Sequence, residues 1–391
     1  MILLPLFVLA LTIGSIGSAS QAFNYSITQT LTNNGNYSLA PGLPSSPYYQ
    51  LLNQNVFLND SRQTSVLASV TMNGLPVAWQ MSNDSDGNPV IQVMENGSLT
   101  PGASATLALS FEIHLQQPTI NLSGIENISE IPASLVQQYP LTGTWNLTNM
   151  GTEGQSIVST ALAIKGSDNN TLSVVYRLLQ WFEDNMVYND SLPYPQQVSQ
   201  TFATLSGKCD DQADLFIMFC RILGIPAYLS IGPIYIPGSS VETDNNIQVI
   251  LTNMGWHGWA MVYLPTQSGG EWVPVDLTYF SGETSEGGHL LSQNLEQHIT
   301  SSAFASFSTV QYASFNTIDY VGESNAQRDI LVGSNITWTE SHIMIPLQPA
   351  TSAPSWYPAL DVYALVATAA AVVLFLAYAV RWRALHKTPS G

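Results

Sequence analysis

The chain is 391 residues long, more than one compact core holds, so two or three folded units are expected. Only 9% of its residues are charged, and 27 acidic side chains against 9 Lys and Arg give a formal net charge of −18. Nucleic acid and anionic lipid headgroups are bound mainly through basic side chains, so this composition excludes them as partners of the folded surface.

In chain order, Met1 to Ile13 is apolar and uncharged, and small residues follow at Ser18, Ala19, Ser20 and Ala22. This pattern is that of a secretory signal over 1–22, cleaved near Ala19 or Ala22. The Lys/Arg stretch usual ahead of such a run is absent, which leaves an uncleaved N-terminal anchor as the alternative. From 23 to 117 the pattern is that of strands. Leu107, Leu109, Phe111, Ile113 and Leu115 alternate with smaller or polar residues. Turn signals recur at Asn34-Gly35, Asn73-Gly74, Asp86-Gly87-Asn88, Asn96-Gly97 and Pro101-Gly102. Short strands at this spacing predict an immunoglobulin-like β-sandwich, a spacer or adhesive module without catalytic residues.

From about Gly124 the texture changes. Val174, Val175, Leu178, Leu179, Phe182 and Met186 recur at helical spacing after an Asp168-Asn169-Asn170 start signal. A second helix is predicted from Cys209 to Leu223, apolar nearly all round and therefore buried; Gly224 and Pro226 end it. The segments 227–231, 259–264 and 272–277 read as strands, and helices followed by strands predict an α+β domain. The stretch Pro233 to Asn253 reads as loops, 291–346 as a β-rich extension, and 347–357, rich in Pro, Ser and Ala, as a stalk.

The C-terminus reads as a membrane anchor over 358–380. Its stretch from Val362 to Val380 has no charged residue and spans roughly 28 Å at about 1.5 Å per residue, enough to cross a bilayer core. Trp356 and Tyr357 flank it outside, and Arg381, Arg383 and Lys387 follow in the tail 381–391. The positive-inside rule then predicts a single-pass membrane protein with its N-terminal ectodomain outside. Sequons such as Asn24-Tyr25-Ser26, Asn83-Asp84-Ser85, Asn121-Leu122-Ser123 and Asn335-Ile336-Thr337 suit a glycosylated exterior. None begins between Ser191 and Ser334, as expected of a cleft kept open.

The cysteines bear the chemistry. Cys209 and Cys220 share one predicted helix, about 16 Å apart along its axis, too far for a disulfide. Cys220 reads as a small buried hydrophobe. Cys209 opens the helix, where free N–H groups and the macrodipole favour a thiolate. Asp210, Asp211 and Asp214 act against that, so a cationic partner is needed. His257, in Gly255-Trp256-His257-Gly258-Trp259, starts one predicted strand, and Asp276 follows Trp272-Val273-Pro274-Val275 on the next. Such a set makes Cys209 the nucleophile, His257 the base and then the acid, and Asp276 the group orienting the imidazole. The Cys209 N–H is a ready oxyanion donor.

The local sequences around these residues raise the weight of the spacing. Gly207-Lys208-Cys209-Asp210-Asp211-Gln212-Ala213, with Arg221-Ile222-Leu223-Gly224-Ile225-Pro226-Ala227 after it, resembles the nucleophile helix of the transglutaminase-like superfamily. His257-Gly258-Trp259 and Trp272-Val273-Pro274-Val275-Asp276 resemble that family's histidine and aspartate strands. Ile131-Pro132 and the helix ending at Met186-Val187-Tyr188 fit as well, whereas Tyr228 stands where many relatives have Arg. The resemblance implies a papain-like domain over 118–290 with Cys209, His257 and Asp276 as its catalytic triad, and amide hydrolysis or acyl transfer without a cofactor. With only Lys165 and Lys208 ahead of the anchor, peptide or amide hydrolysis is favoured over cross-linking. The expected partners are a protein or peptide substrate at the cell surface and, through the C-terminal helix, the bilayer. A catalytically silent surface binding or assembly module on the same fold is the competing reading. No metal is expected: no second cysteine lies near Cys209, and His289 and His298 are nine residues apart, a spacing without metal logic. Those two read as surface or core histidines.

Overall fold

The structure, a computed structural model, describes residues 21–84, 86–116, 120–192, 194–279, 288–300, 310–312 and 319–347. The chain divides into two units, 1–347 and 348–391, and every described residue belongs to the first. The expected signal segment as far as residue 20, the stalk beyond Leu347, the membrane span and the tail lie outside the described residues. Among the described residues no helix is long and apolar enough to cross a membrane.

The N-terminal half is built from strands. β1 (Gln21–Asn33) leads through the short helix α1 (Pro47–Leu52) to β2 (Asn53–Asn55), β3 (Gln63–Met72), β4 (Leu75–Pro76), β5 (Trp79–Asn83), β6 (Pro89–Val93) and β7 (Ser104–Leu115). β7 lies antiparallel between β1 and β3, while β2, β6 and β5 form a separate three-stranded sheet. The period-two pattern is the cause: Leu107, Leu109, Phe111, Ile113 and Leu115 all turn into one core, which Ile91 and Val93 of the small sheet share.

The helical layer follows, with α2 (Ala133–Gln138), α3 (Gly151–Lys165), α4 (Thr171–Asn185), β8 (Val187–Tyr188), α5 (Val198–Thr204), β9 (Ser206–Gly207) and α6 (Cys209–Ile222). Asn170 caps α4 by accepting the Ser173 N–H at 3.0 Å, and the stripe from Val174 to Phe182 is buried. Every residue of α6 from Asp211 to Cys220 is buried. Gly224 takes φ +79° just past its end, a conformation that costs a side-chain-bearing residue energy.

Behind α6 come β10 (Ala227–Asp244), β11 (Ile247–Leu264), β12 (Glu271–Val275), α7 (Gln297–Thr300), β13 (Val310–Tyr312), α8 (Tyr320–Gly333) and β14 (Ile336–Pro346). One nine-stranded sheet runs β13-β10-β11-β14-β1-β7-β3-β4, with β12 beside β11. β11 joins the two halves of the molecule. Its first residues, 247–252, run parallel to β14, which in turn pairs with β1; its last, 260–264, pair with β12.

Two expectations need correction. Pro233 to Asn253, read as loops, belongs to a long β10–β11 hairpin. Residues 236–243, in its β10 half, are exposed and mostly polar, so no alternation marks them; they become strand by pairing with β11, whose own residues 247–252 pair with β14. The stretch 291–346, read as β-rich, contains the 14-residue helix α8, whose start Asp319 caps by accepting the Gly322 N–H at 3.0 Å. Its few buried residues left little apolar stripe to read.

Candidate active site

The head of α6 is shaped by its own polar residues. Asp211 accepts the Lys208 N–H at 2.9 Å through one oxygen and the Gln196 N–H at 2.6 Å through the other. The Gln212 amide donates to the Gly207 carbonyl at 3.0 Å. Burial, with Asp210 beside it, pushes the Asp211 carboxyl up to about 6, against these hydrogen bonds. Asp211 is therefore a capping group, and the first turn of the helix is rigid where Cys209 leaves it.

Cys209 is partly exposed and free; Cys220, also free, is fully buried, and burial pushes its thiol well up. Next to the cysteine, the Asp210 carboxylate is held by the Tyr320 hydroxyl, which donates to it at 2.7 Å from α8.

His257 lies on β11 between the stretches that pair with β14 and β12, opposite Gly232 of β10. The next residue, Gly258, meets α6 directly: a Cβ there would stand 3.0 Å from the Asp210 Cβ and 3.1 Å from its Cα. Only a residue without a side chain lets the helix head come this close to the strand. Cys209, next to Asp210 at the helix head, is thereby set close enough to the His257 ring for the two to interact electrostatically.

On the other side of the ring, His257 Nε2 is 2.7 Å from Asp276 Oδ2, both side chains being buried. The second Asp276 oxygen accepts the N–H groups of Thr278 and Tyr279, each at 2.9 Å. Burial raises the cost of charge on both partners, but their mutual attraction outweighs it. The Asp276 carboxyl is held below its usual value, and the imidazole is pushed up to about 10 by Asp276 first and by Cys209 second. Trp259 stacks near the imidazole at 5.7 Å, and Tyr279 meets it edge-on at the same distance. Since Nε2 is engaged by Asp276, Nδ1 is the ring nitrogen left for proton exchange with the sulfur.

The structure thus brings the three singled-out residues into one place. It also draws in two groups to which the sequence assigned no role. Tyr188, at the end of β8, feels Cys209, Asp190, Asp210 and Asp276, which, after burial, push its phenol well up. His298 is buried against the backbone of Asp276. His298 carries no local motif, and Tyr188, although it closes the Met186-Val187-Tyr188 segment that fits the family, has no chemical partner legible in sequence; both are ordinary core residues until the fold sets them beside the acid. Tyr228, at the position that departs from the family pattern, packs between Tyr139 and Trp272 at ring distances of 6.0 and 4.9 Å. Among the described residues no three His, Cys, Asp or Glu are grouped to hold a metal ion.

A helix-head cysteine, a strand histidine and an acid after the adjoining strand, in a mixed α+β layer, define a thiol site of papain-like design. Residues 158–277, which contain all three, match the transglutaminase-like superfamily. No curated protein matches the chain. Among solved structures, a candidate cysteine protease from Cytophaga hutchinsonii is similar over 86% of this chain and 93% of its own, with 14% identity and a TM-score of 0.51. The periplasmic domain of TgpA from Pseudomonas aeruginosa, bound to ethylmercury, is similar over 67% of this chain and 91% of its own, with 17% identity and a TM-score of 0.31.

Proposed function

We propose that the chain is a cell-surface thiol enzyme that acts on amide bonds of a protein or peptide through an acyl-enzyme on Cys209. The observation that carries this reading is the buried 2.7 Å His257–Asp276 pair beside a partly exposed cysteine at a helix start. His257 Nδ1 takes the thiol proton, and the sulfur adds to the amide carbonyl. The tetrahedral oxygen is stabilised by the Cys209 N–H, which no intrahelical acceptor claims at the first position of α6. The imidazolium returns the proton to the departing amine. Water, activated by the same ring, then releases the acid and restores the thiol. Asp276 keeps Nε2 engaged throughout. Hydrolysis is favoured over cross-linking because Lys165 and Lys208 are the only lysines before the C-terminal apolar run.

In this reading the sandwich of β1 to β7 is an immunoglobulin-like spacer, 1–22 a leader, and 358–380 an anchor that leaves the enzyme outside the cell. The uncharged run from Val362 to Val380 and the basic residues Arg381, Arg383 and Lys387 support the orientation. The full chain is expected in the detergent phase of a Triton X-114 partition, and a chain ending at Leu347 in the aqueous phase; an aqueous full chain would refute the anchor.

The test of the chemistry is iodoacetamide labelling of the native protein. Cys209 is expected to react faster than Cys220 by at least about tenfold, given the burial of the latter. Cys209→Ala is expected to fold and to be inert toward peptide substrates captured from the cell envelope. Equal, slow labelling of both thiols would instead favour a silent binding module.

A further inference from the structure

We infer that the buried His298–Glu183 pair is a positioning element of this site: it holds the main chain of Asp276 so that the carboxylate stays aimed at His257. The inference rests on the thiol-enzyme reading. The pairing of β12 with β11 ends at Val275, so Asp276 is carried by backbone that has just left the ladder. His298, on α7 and 1% exposed, takes over there through two bonds. The Asp276 N–H donates to the His298 carbonyl at 2.8 Å, and His298 Nδ1 donates to the Asp276 carbonyl at 2.6 Å.

The far side of the ring is tied to the core. His298 Nε2 lies 2.9 Å from Glu183 Oε1, and that oxygen also accepts the Ser292 N–H at 2.8 Å. Burial works against the Glu183 carboxylate, but the bonds from His298 and Ser292 outweigh it and hold its pKa below the ordinary value. A carbonyl oxygen only accepts, so His298 Nδ1 carries the proton that faces Asp276, and Nε2 is left for Glu183. Glu183 sits on α4 directly after Phe182, at the end of that helix's buried stripe. The clamp therefore connects the acid of the triad to a helix that does not itself reach the sulfur. A displacement of about 1 Å in such a group costs roughly 10²-fold in rate, which is the scale of effect expected from losing it.

The experiment follows the rate of Cys209 alkylation by iodoacetamide against pH in the full chain, for the wild type, His298→Leu and Glu183→Gln. A misaimed Asp276 supports the His257 imidazolium less, so more alkaline solution is needed to expose the reactive sulfur. The midpoint of the profile is expected to rise by about one pH unit in His298→Leu, with at least about a tenfold loss of rate at pH 7, and to rise by less in Glu183→Gln. A folded His298→Leu protein with the wild-type profile overturns the inference, because a merely structural role would lower thermal stability without moving the midpoint. Should that variant not fold, ¹⁵N spectra of the wild-type histidines decide: a protonated, hydrogen-bonded His298 Nδ1 supports the clamp, and an unprotonated Nδ1 overturns it. A wild-type Cys209 no more reactive than Cys220 sinks the thiol-enzyme reading and this inference together, whereas a reactive wild type with an unmoved variant sinks this inference alone.

Discussion

His257 is buried, which disfavours its charged form, and it is pushed up to about 10 all the same because Asp276 faces it. A folded-state value above the unfolded one, near 6.5, means that the contribution of His257 is fully present below about pH 6.5 and fades as the pH climbs toward 10. Asp276→Asn is expected to cost roughly 3–5 kcal/mol at pH 6 and progressively less by pH 10, as read from urea unfolding. The same substitution leaves the ring in the wrong tautomer and is expected to slow Cys209 alkylation by about 10²-fold or more. Gly258→Ala is a different kind of damage. Its Cβ, 3.0 Å from that of Asp210, forces the helix head off the strand. Alkylation is expected to fall about 10²-fold while stability drops only about 1–3 kcal/mol, so a variant that melts near the wild type but labels slowly is the signature. A Gly258→Ala protein that labels at the wild-type rate would show that close approach of helix and strand is not required.

Among the elements, α6 sets the site by being buried along nearly its whole length. Phe216 is 0% exposed, and Phe216→Ala is expected to cost about 3–5 kcal/mol in chemical denaturation. The seam between β14 and β1 has another anchor. The His342 ring bridges the Tyr25 hydroxyl, at 2.8 Å, and the Glu340 carboxylate, and Trp256 packs edge-on against it at 5.3 Å. His342→Leu leaves the half-buried Glu340 with the Trp338 Nε1–H, at 3.0 Å, but without the His342 ring, and is expected to destabilise by roughly 1–3 kcal/mol. Helices α4 and α6 were legible in the sequence because their signals are local: the Asn170 cap, the stripe from Val174 to Phe182, and Gly224 followed by Pro226. The outer part of the β10–β11 hairpin was not, because its β10 half is exposed without alternation and its β11 half is held by β14, some ninety positions away. Helix α8 was missed for a related reason, its face being mostly exposed and its apolar residues few.

Across the whole molecule, acid groups outnumber basic ones, and some carboxyls are buried without help. The Asp214 and Asp86 oxygens are buried without hydrogen-bond partners among the described residues. Burial first, with neighbouring acids second, pushes Asp86 up to about 7 and Asp214 well above the usual range. Folded-state values above the unfolded ones stabilise in acid, and that stability is lost as the pH rises from about 4 to 7 and beyond. Asp276, Glu183 and Glu340 act in the opposite sense, since their lowered values lose stability in strong acid. The melting temperature is therefore expected to be higher at pH 5 than at pH 8, and to fall again toward pH 3. Asp86→Asn is expected to narrow the difference between pH 5 and 8; a variant as sensitive as the wild type would show that Asp86 is ionised and solvated.

Local chemistry was enough to single out the nucleophile helix, the strand character of Leu107 to Leu115, and Cys209, His257 and Asp276 as one candidate set, because caps, turn residues, periodicity and short motifs act over a few positions. Only the folded chain could show that β14 returns to close the N-terminal strands and the thiol domain into a single sheet. The same is true of His298 and Glu183, 115 positions apart, meeting behind Asp276. Contacts of that range depend on the complete packing of the chain, and no short stretch of residues encodes them.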